Sequence, residues 1–412
     1  MTNFIGYHCS VCGAEYGPND VTYICTASGC GGNLDVILDY DAIKKKSVDD
    51  LVIKADESLW RYLPLLPVPD PGGNGTPLRA AGWTPIFSPA SLAYKLGLRH
   101  LYIKDESRNP TASFKDRASA VLIGRAREIG AEVVVTASTG NAGAALAGMA
   151  AAVGHKAVIF APKTAPPAKI AQLQIFGAKV LLVDDNYDAA FKLSLEATQE
   201  FGWYNRNTGY NPFTAEGKKT AAFEIWEQMQ LSNAKHRISI FVSVGDGNII
   251  SGIHKGFKDL LTLGLIEQVP RIFGVQSTGS AAIANAFNSG TEVIKAVNAT
   301  TRADSISVNM PSDGLRALRA ATQTDGAYIL VPDEAIIAAI GELGAVGIFA
   351  EPAGATSYAG LVKAVQDGLI GPDDTVVVVN TGSGLKDVNA AMMAAGEAPV
   401  IKPVLDAVRQ YI

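Results

Sequence analysis

The 412-residue chain contains no apolar run of roughly 18 residues, so no membrane-spanning helix is expected. It has no lysine-arginine stripe, and its net charge is only -5, which argues against a nucleic-acid partner. Met1-Thr-Asn-Phe4 lacks a basic start followed by an apolar stretch, so no secretory signal is expected, and a cytoplasmic enzyme is the default. Histidine is scarce. His8, His100, His155, His236 and His254 are scattered, so neither a histidine metal site nor a histidine triad is visible. Cysteine is absent after residue 30. The four that exist read Cys9-x2-Cys12 and Cys25-x4-Cys30. In a cytoplasmic chain this spacing suggests metal ligation before disulfides. Four thiolates can enclose a tetrahedral Zn²⁺, but the second pair is wider than the usual two-residue knuckle, so reduced, metal-free cysteines stay open.

What is present points to a large α/β protein. Apolar residues make up 48% of the chain and there are 41 glycines, which suits tight turns between buried elements. The length predicts two to three domains. From about residue 90, apolar strands alternate with helical stretches: Leu101–Lys104, Glu132–Thr136, Lys156–Phe160, Ala178–Val183, Ile238–Val244, Arg271–Gln276, Tyr328–Val331, Val346–Ala350 and Thr375–Asn380 read as strands. Such alternation implies right-handed βαβ units and open parallel sheets with helices on both faces. Ligands then bind at the carboxyl ends of the strands. Trp60 to Pro69 is too proline-rich for a helix or an inner strand. Residues 288–312 are polar and aperiodic, and read as a long loop or insert.

Four stretches carry chemistry. In Asn109-Pro-Thr-Ala-Ser-Phe-Lys-Asp-Arg117, Lys115 ends a loop and opens a helix that Ser113 is expected to cap. A cation is poorly placed at a helix N-terminus. A desolvated amine there has a lowered pKa and becomes a nucleophile fit for a Schiff base. Ser138-Thr-Gly-Asn-Ala-Gly143 follows a strand and opens a helix, where backbone N–H groups and small side chains suit a carboxylate. Val244-Gly-Asp-Gly-Asn248 repeats that pattern as a phosphate nest, without a P-loop lysine. Asn380-Thr-Gly-Ser-Gly-Leu385 places a hydroxyl at a strand end, able to bond a heterocycle nitrogen. An amine, a nest, a hydroxyl and a carboxylate site together suggest pyridoxal 5′-phosphate and an amino-acid substrate.

The same residues resemble the threonine synthases, within the pyridoxal-phosphate enzymes that share the tryptophan synthase β-subunit fold (fold type II). The resemblance covers Gly82-Trp-Thr-Pro85, Tyr102-Ile-Lys-Asp-Glu106, Asn109 to Arg117, Ser138 to Asn141, Asn211-Pro212, Glu216-Gly217, Thr220, residues 244–248 and Thr381 to Asp387. Even the cysteine pairs are shared with some members. It implies that Lys115 forms the Schiff base and later moves protons, Phe114 packs on the pyridine ring, and Asn141 bonds the 3′-oxygen. Gly245, Asp246, Gly247 and Asn248 hold the cofactor phosphate, and Thr381 bonds the ring nitrogen. Ser138, Thr139, Asn141 and Ala142 receive the substrate carboxylate. The implied organisation is a cysteine-rich ribbon at 1–40, a large cofactor-binding α/β domain at 41–97 plus 196–412, and a small α/β domain at 98–195 carrying the lysine; a homodimer is implied by analogy.

The implied reaction converts O-phospho-L-homoserine and water to threonine and phosphate. One departure bears on it. Members usually place an arginine two residues before the Glu-Gly, and here Thr214 stands there. Losing a forked grip on a dianion weakens binding by roughly 1.5–3 kcal/mol. Lys218, Lys219, Arg206 or an arginine from 302–319 are the substitutes on offer. The alternative is a related ammonia-lyase, dehydratase or β-replacement enzyme acting on threonine, serine or diaminopropionate. A non-catalytic binding protein of the same fold would be expected to have lost Lys115.

Overall fold

The computed structural model describes residues 2–231 and 237–411, so Met1 and His236 lie outside the described residues. The strands are, in chain order, β1 (Phe4–Cys9), β2 (Glu15–Tyr16), β3 (Leu34–Leu38), β4 (Ile86–Phe87), β5 (His100–Asp105), β6 (Val133–Ala137), β7 (Lys156–Pro162), β8 (Lys179–Val183), β9 (Tyr204–Asn205), β10 (Ser239–Ser243), β11 (Arg271–Ser277), β12 (Tyr328–Val331) and β13 (Thr375–Asn380). They form a small antiparallel sheet (β2-β1-β3), a six-stranded sheet (β12-β11-β10-β13-β5-β4) and a four-stranded parallel sheet (β8-β7-β6-β9). In the six-stranded sheet only edge strand β4 runs antiparallel. The arrangement is the α/β fold expected of alternating strands and helices, with a cysteine-rich ribbon at the amino end.

Continuous apolar runs make the inner strands. Val376 to Val379 are fully buried in β13, which lies between β10 and β5. A strand covered on both faces has no polar side to alternate with. Because β5, β10 and β13 run parallel side by side, their following turns, residues 106–114, 244–248 and 381–385, open at one edge.

Several expectations need correction. The strand at 100–105 pairs with β13 in the six-stranded sheet, and the smaller sheet is built from strands between 133 and 205. Hydrophobic pattern marks a strand but does not say which sheet takes it. Val346 to Ala350 is no strand. The preceding helix, Asp333–Gly344, closes through Gly347 at φ +79° and a bond from Ile348 N to Leu343 O (3.0 Å), and only Ala350 bridges to Ser383. Leu59–Leu65 forms two short 3₁₀ turns that meet at a kink at Tyr62 (φ -99°, ψ 23°), and Pro64 is tolerated because such short turns close through few i→i+3 bonds. Ser113 does not cap the Lys115–Glu128 helix. Phe114 takes the cap position, and the Ser113 Oγ is buried without a partner. The Asp116 and Arg117 N–H groups are instead taken by the Ser113 and Phe114 carbonyls (3.3 Å each).

The ribbon docks on the rest of the chain through polar contacts. Asn33 Nδ2 donates to Gly209 O (2.6 Å) and Ser312 O (3.0 Å), and Tyr23 stacks on Tyr210 with ring centroids 4.6 Å apart. The ribbon therefore buttresses the segment that connects β9 to Thr214.

Candidate active site

The Lys115 loop is pinned from one side. Phe114 N donates to Thr381 O (2.9 Å), Ser383 N donates to Ala112 O (3.1 Å), and Ser113 bridges Gly382. Two stretches far apart in sequence thus form one wall. Phe114 is fully buried, whereas Lys115 is part-exposed at the first turn of its helix. Although part of the residue meets solvent, protein atoms crowd its ammonium group, and that desolvation pushes the Lys115 pKa down to about 8, opposed by the Glu351 carboxylate and helped by the Arg206 guanidinium. An amine with that pKa is a nucleophile near neutrality.

Asn141 opens the Asn141–Ala151 helix at the carboxyl end of β6. Its Nδ2 donates to Glu351 Oε1 (2.7 Å), crossing from the smaller sheet unit to the larger. Glu351 is buried and pushed up to about 7 by desolvation, with Lys115 pulling it back down. Glu351 and Lys115 therefore titrate as a pair. Sequence reading missed Glu351, because an acid just before Pro352 at the start of the Pro352–Gln366 helix looks like an ordinary helix N-terminus. Ser138, Thr139 and Ala142 surround the same helix start, half-buried, where the N–H groups of a helix's first turn suit an anion. Gly143 is required here, since a Cβ would strike the Ser138 carbonyl.

The second glycine turn follows β10. Gly247 sits at φ +92°, and a Cβ there would meet Asp313 O at 2.6 Å; a Cβ at Gly245 would meet Ile306 Cα at 2.8 Å. Asn248 opens the Asn248–Thr262 helix, so the 245–248 N–H groups and the helix dipole form an anion cradle. Asp246 is tied off by Ser312, whose Oγ lies 3.0 Å from its Oδ1. Thr381 Oγ1 stands 3.5 Å from Ser243 Oγ, at the adjoining ends of β13 and β10. Amine, cradle and hydroxyl thus share one edge of the sheet, and they fit a phosphorylated heterocyclic aldehyde. At the mouth, a pocket of about 120 Å³ is lined by Thr139, Asn141, Lys169, Glu351 and Lys386 among others. Lys169 spans it to Asp304 (2.6 Å).

The four cysteines stand apart from this site. Their Sγ atoms all lie within 4.8 Å of one another, a spacing that fits one tetrahedral metal ion. The described histidines do not join them.

The chain matches the family model described as pyridoxal-phosphate dependent enzyme over residues 78–382. It is 38% identical over 392 residues to a threonine synthase of Methanocaldococcus jannaschii, covering 94% of this chain and 95% of that protein. It is 39% identical over 413 residues to a threonine synthase of Methanosarcina acetivorans, covering 98% of each. Among solved structures, the processed threonine deaminase isoform 2 of Solanum lycopersicum superposes with a TM-score of 0.67 at 24% identity, covering 85% of this chain and 90% of that one. Diaminopropionate ammonia lyase from Escherichia coli gives 0.64 at 20% identity, covering 77% and 89%. These two likenesses speak for the fold alone.

Proposed function

The chain belongs to the pyridoxal-phosphate dependent enzyme family, and on that premise we propose that it catalyses the threonine synthase reaction, a lyase-type release of phosphate from O-phospho-L-homoserine with addition of water. The observation that carries this reading is Lys115, a desolvated amine set between a phosphate cradle and a carboxylate-binding helix start.

When bound, pyridoxal phosphate supplies an electron sink for charge at the substrate's α-carbon. The chain's own residues do the rest. Lys115 Nζ would be the residue that holds the cofactor covalently, and as a free amine it would take the proton from the substrate α-carbon and move a proton at the β-carbon. Gly245, Asp246, Gly247 and Asn248 would hold the cofactor phosphate through backbone N–H groups. Thr381 Oγ1 would be the partner for the ring nitrogen; a hydroxyl partner would leave that nitrogen neutral and favour elimination over transamination. Phe114 would pack on the ring, and Asn141 would serve its 3′-oxygen. Ser138, Thr139, Asn141 and Ala142 orient the substrate carboxylate. Glu351, through Asn141 and its charge near Lys115, sets how readily the lysine loses its proton.

A second reading, favoured by Thr214, is an ammonia-lyase on threonine, serine or diaminopropionate. The test is a paired assay on the cofactor-loaded protein. Equimolar phosphate and threonine from O-phospho-L-homoserine support the first reading. No phosphate there, with ammonia and keto acid from the second set, would establish the alternative. The proposal extends to a structural zinc on Cys9, Cys12, Cys25 and Cys30, for which metal analysis should return about one equivalent. It also includes a cytoplasmic homodimer, which a one-chain mass in light scattering would refute.

A further inference from the structure

A buried charge without a partner is costly, so the chain's buried cations can be sorted by what they face. Arg61, Lys104, Arg117, Lys219, Lys255 and Arg316 each lie within 3.3 Å of a carboxylate oxygen. Among the described residues, Lys218 and Arg206 are fully buried and have no carboxylate in reach. Lys218 Nζ donates to a neutral amide oxygen, Asn248 Oδ1 (2.5 Å). Arg206 donates to Ser119 Oγ (3.3 Å) and Thr208 Oγ1 (2.7 Å), and its Nη2 is buried with no partner at all.

These two cations share a space with Lys115. Ser119 lies one helical turn after Lys115, which puts Arg206 along the same helix. Desolvation is the largest influence on Lys218, and repulsion from Lys115 and Arg206 comes next. The nearest acids are already engaged: Asp313 holds Arg316 and Asn248, and Asp246 holds Ser312. The cluster brings three basic groups together beside the 245–248 turn with their nearest acids engaged; burial and mutual repulsion favour loss of the Lys218 proton until an anion arrives, and a dianion is the guest that balances the charged form.

We propose that Lys218 and Arg206 grip the phosphate of the substrate, in the place of the arginine expected at Thr214, an assignment that rests on the reaction proposed above. The helix geometry explains the exchange. Thr214 and Lys218 are four residues apart on adjoining turns, and both side chains end at Asn248 Oδ1 (3.2 and 2.5 Å). A long cation one turn later reaches the spot that the shorter threonine leaves. The other candidates are committed elsewhere. Lys219 binds Asp259 (2.8 Å) and Glu216 (2.6 Å), and Arg319 binds Glu292 (2.6 Å). Arg302 lies against Met393 Sδ, and Arg316 against Asp313 and Asp35. The cofactor's own phosphate is the competing guest for Lys218, and the test separates the two.

Lys218→Gln and Lys218→Met are made, the second because an apolar chain of similar length suits a buried position. Three quantities are read on wild type and variants: the dissociation constant of inorganic phosphate from the cofactor-loaded protein, the KM for O-phospho-L-homoserine, and the dissociation constant of the cofactor. Phosphate binding and KM should each weaken at least tenfold, with cofactor affinity within about twofold. Arg206→Met should shift the same two quantities. Unchanged phosphate binding, or a loss confined to the cofactor, would overturn the assignment. Phosphate binding that depends on Lys218 in a protein that makes no threonine would uphold the anion site and refute the proposed reaction instead.

Discussion

Lys115 and Arg117 are two residues apart on one helix, yet their surroundings differ completely. Arg117 is fully buried and saturated. Its guanidinium bonds Glu106 (2.6 and 2.7 Å), Glu224 (2.5 and 2.7 Å) and Thr220 (2.9 Å). Glu224 in turn takes Lys104 (2.6 Å) and the Trp83 N–H (2.7 Å), while Asn109 takes the Gly82 N–H (2.8 Å). On the Lys115 side, Lys218 lacks a carboxylate, Arg206 has a bare Nη2, and the Ser113 hydroxyl bonds nothing. The first side is complete without a ligand, and the second is completed only by one. Buried ionic networks with every partner present hold geometry, whereas unmatched buried polar groups mark where chemistry enters.

The contrast also sorts the motifs. Trp83, Thr84, Lys104, Glu106, Asn109, Arg117 and Thr220, which carry much of the family resemblance, fall on the saturated side. Their role is to place the loop that ends in Lys115, so they position the site without belonging to it.

Substitutions on the two sides should therefore separate activity from stability. Lys115→Ala should lower turnover by at least about 10³-fold, the scale of a lost acid–base group, with little change in unfolding midpoint. Arg117→Met should do the reverse in kind, costing about 3–5 kcal/mol in denaturant unfolding because Glu106 and Glu224 lose their counter-ion. A smaller effect concerns pH. Only the neutral amine attacks a carbonyl, so cofactor uptake by the apoprotein should rise with pH around about 8, well below the ordinary lysine value. Glu351→Gln removes a charge that holds Lys115 up, so the midpoint should move lower still; an upward or absent shift would contradict the pairing. Smallest of all, Lys169→Ala breaks the exposed bridge to Asp304 and should cost under about 1 kcal/mol.

The glycine turns at 140–143 and 244–248 were legible because small residues directly follow apolar runs. Lys115 was legible because a cation opening an apolar helix contradicts the dipole. What was not legible depends on how helices pack. Lys218 and Lys219 are neighbours in sequence and equally buried, yet one meets Asn248 and the other Asp259 and Glu216. Gly217 lets its helix press against the Arg117 carbonyl, and that close approach decides which lysine faces the site. Glu351 stayed hidden for the same reason: its partner Asn141 is 210 residues away.

The most direct test measures Lys115→Ala and Arg117→Met side by side, reading the cofactor's visible absorbance and the denaturant midpoint of each. The expected result is a crossed pair: Lys115→Ala loses the lysine-bound absorbance but unfolds like the wild type, and Arg117→Met unfolds early but retains the absorbance while folded. Persistence of that absorbance in Lys115→Ala, or equal loss of stability in both, would contradict the division between scaffold and site.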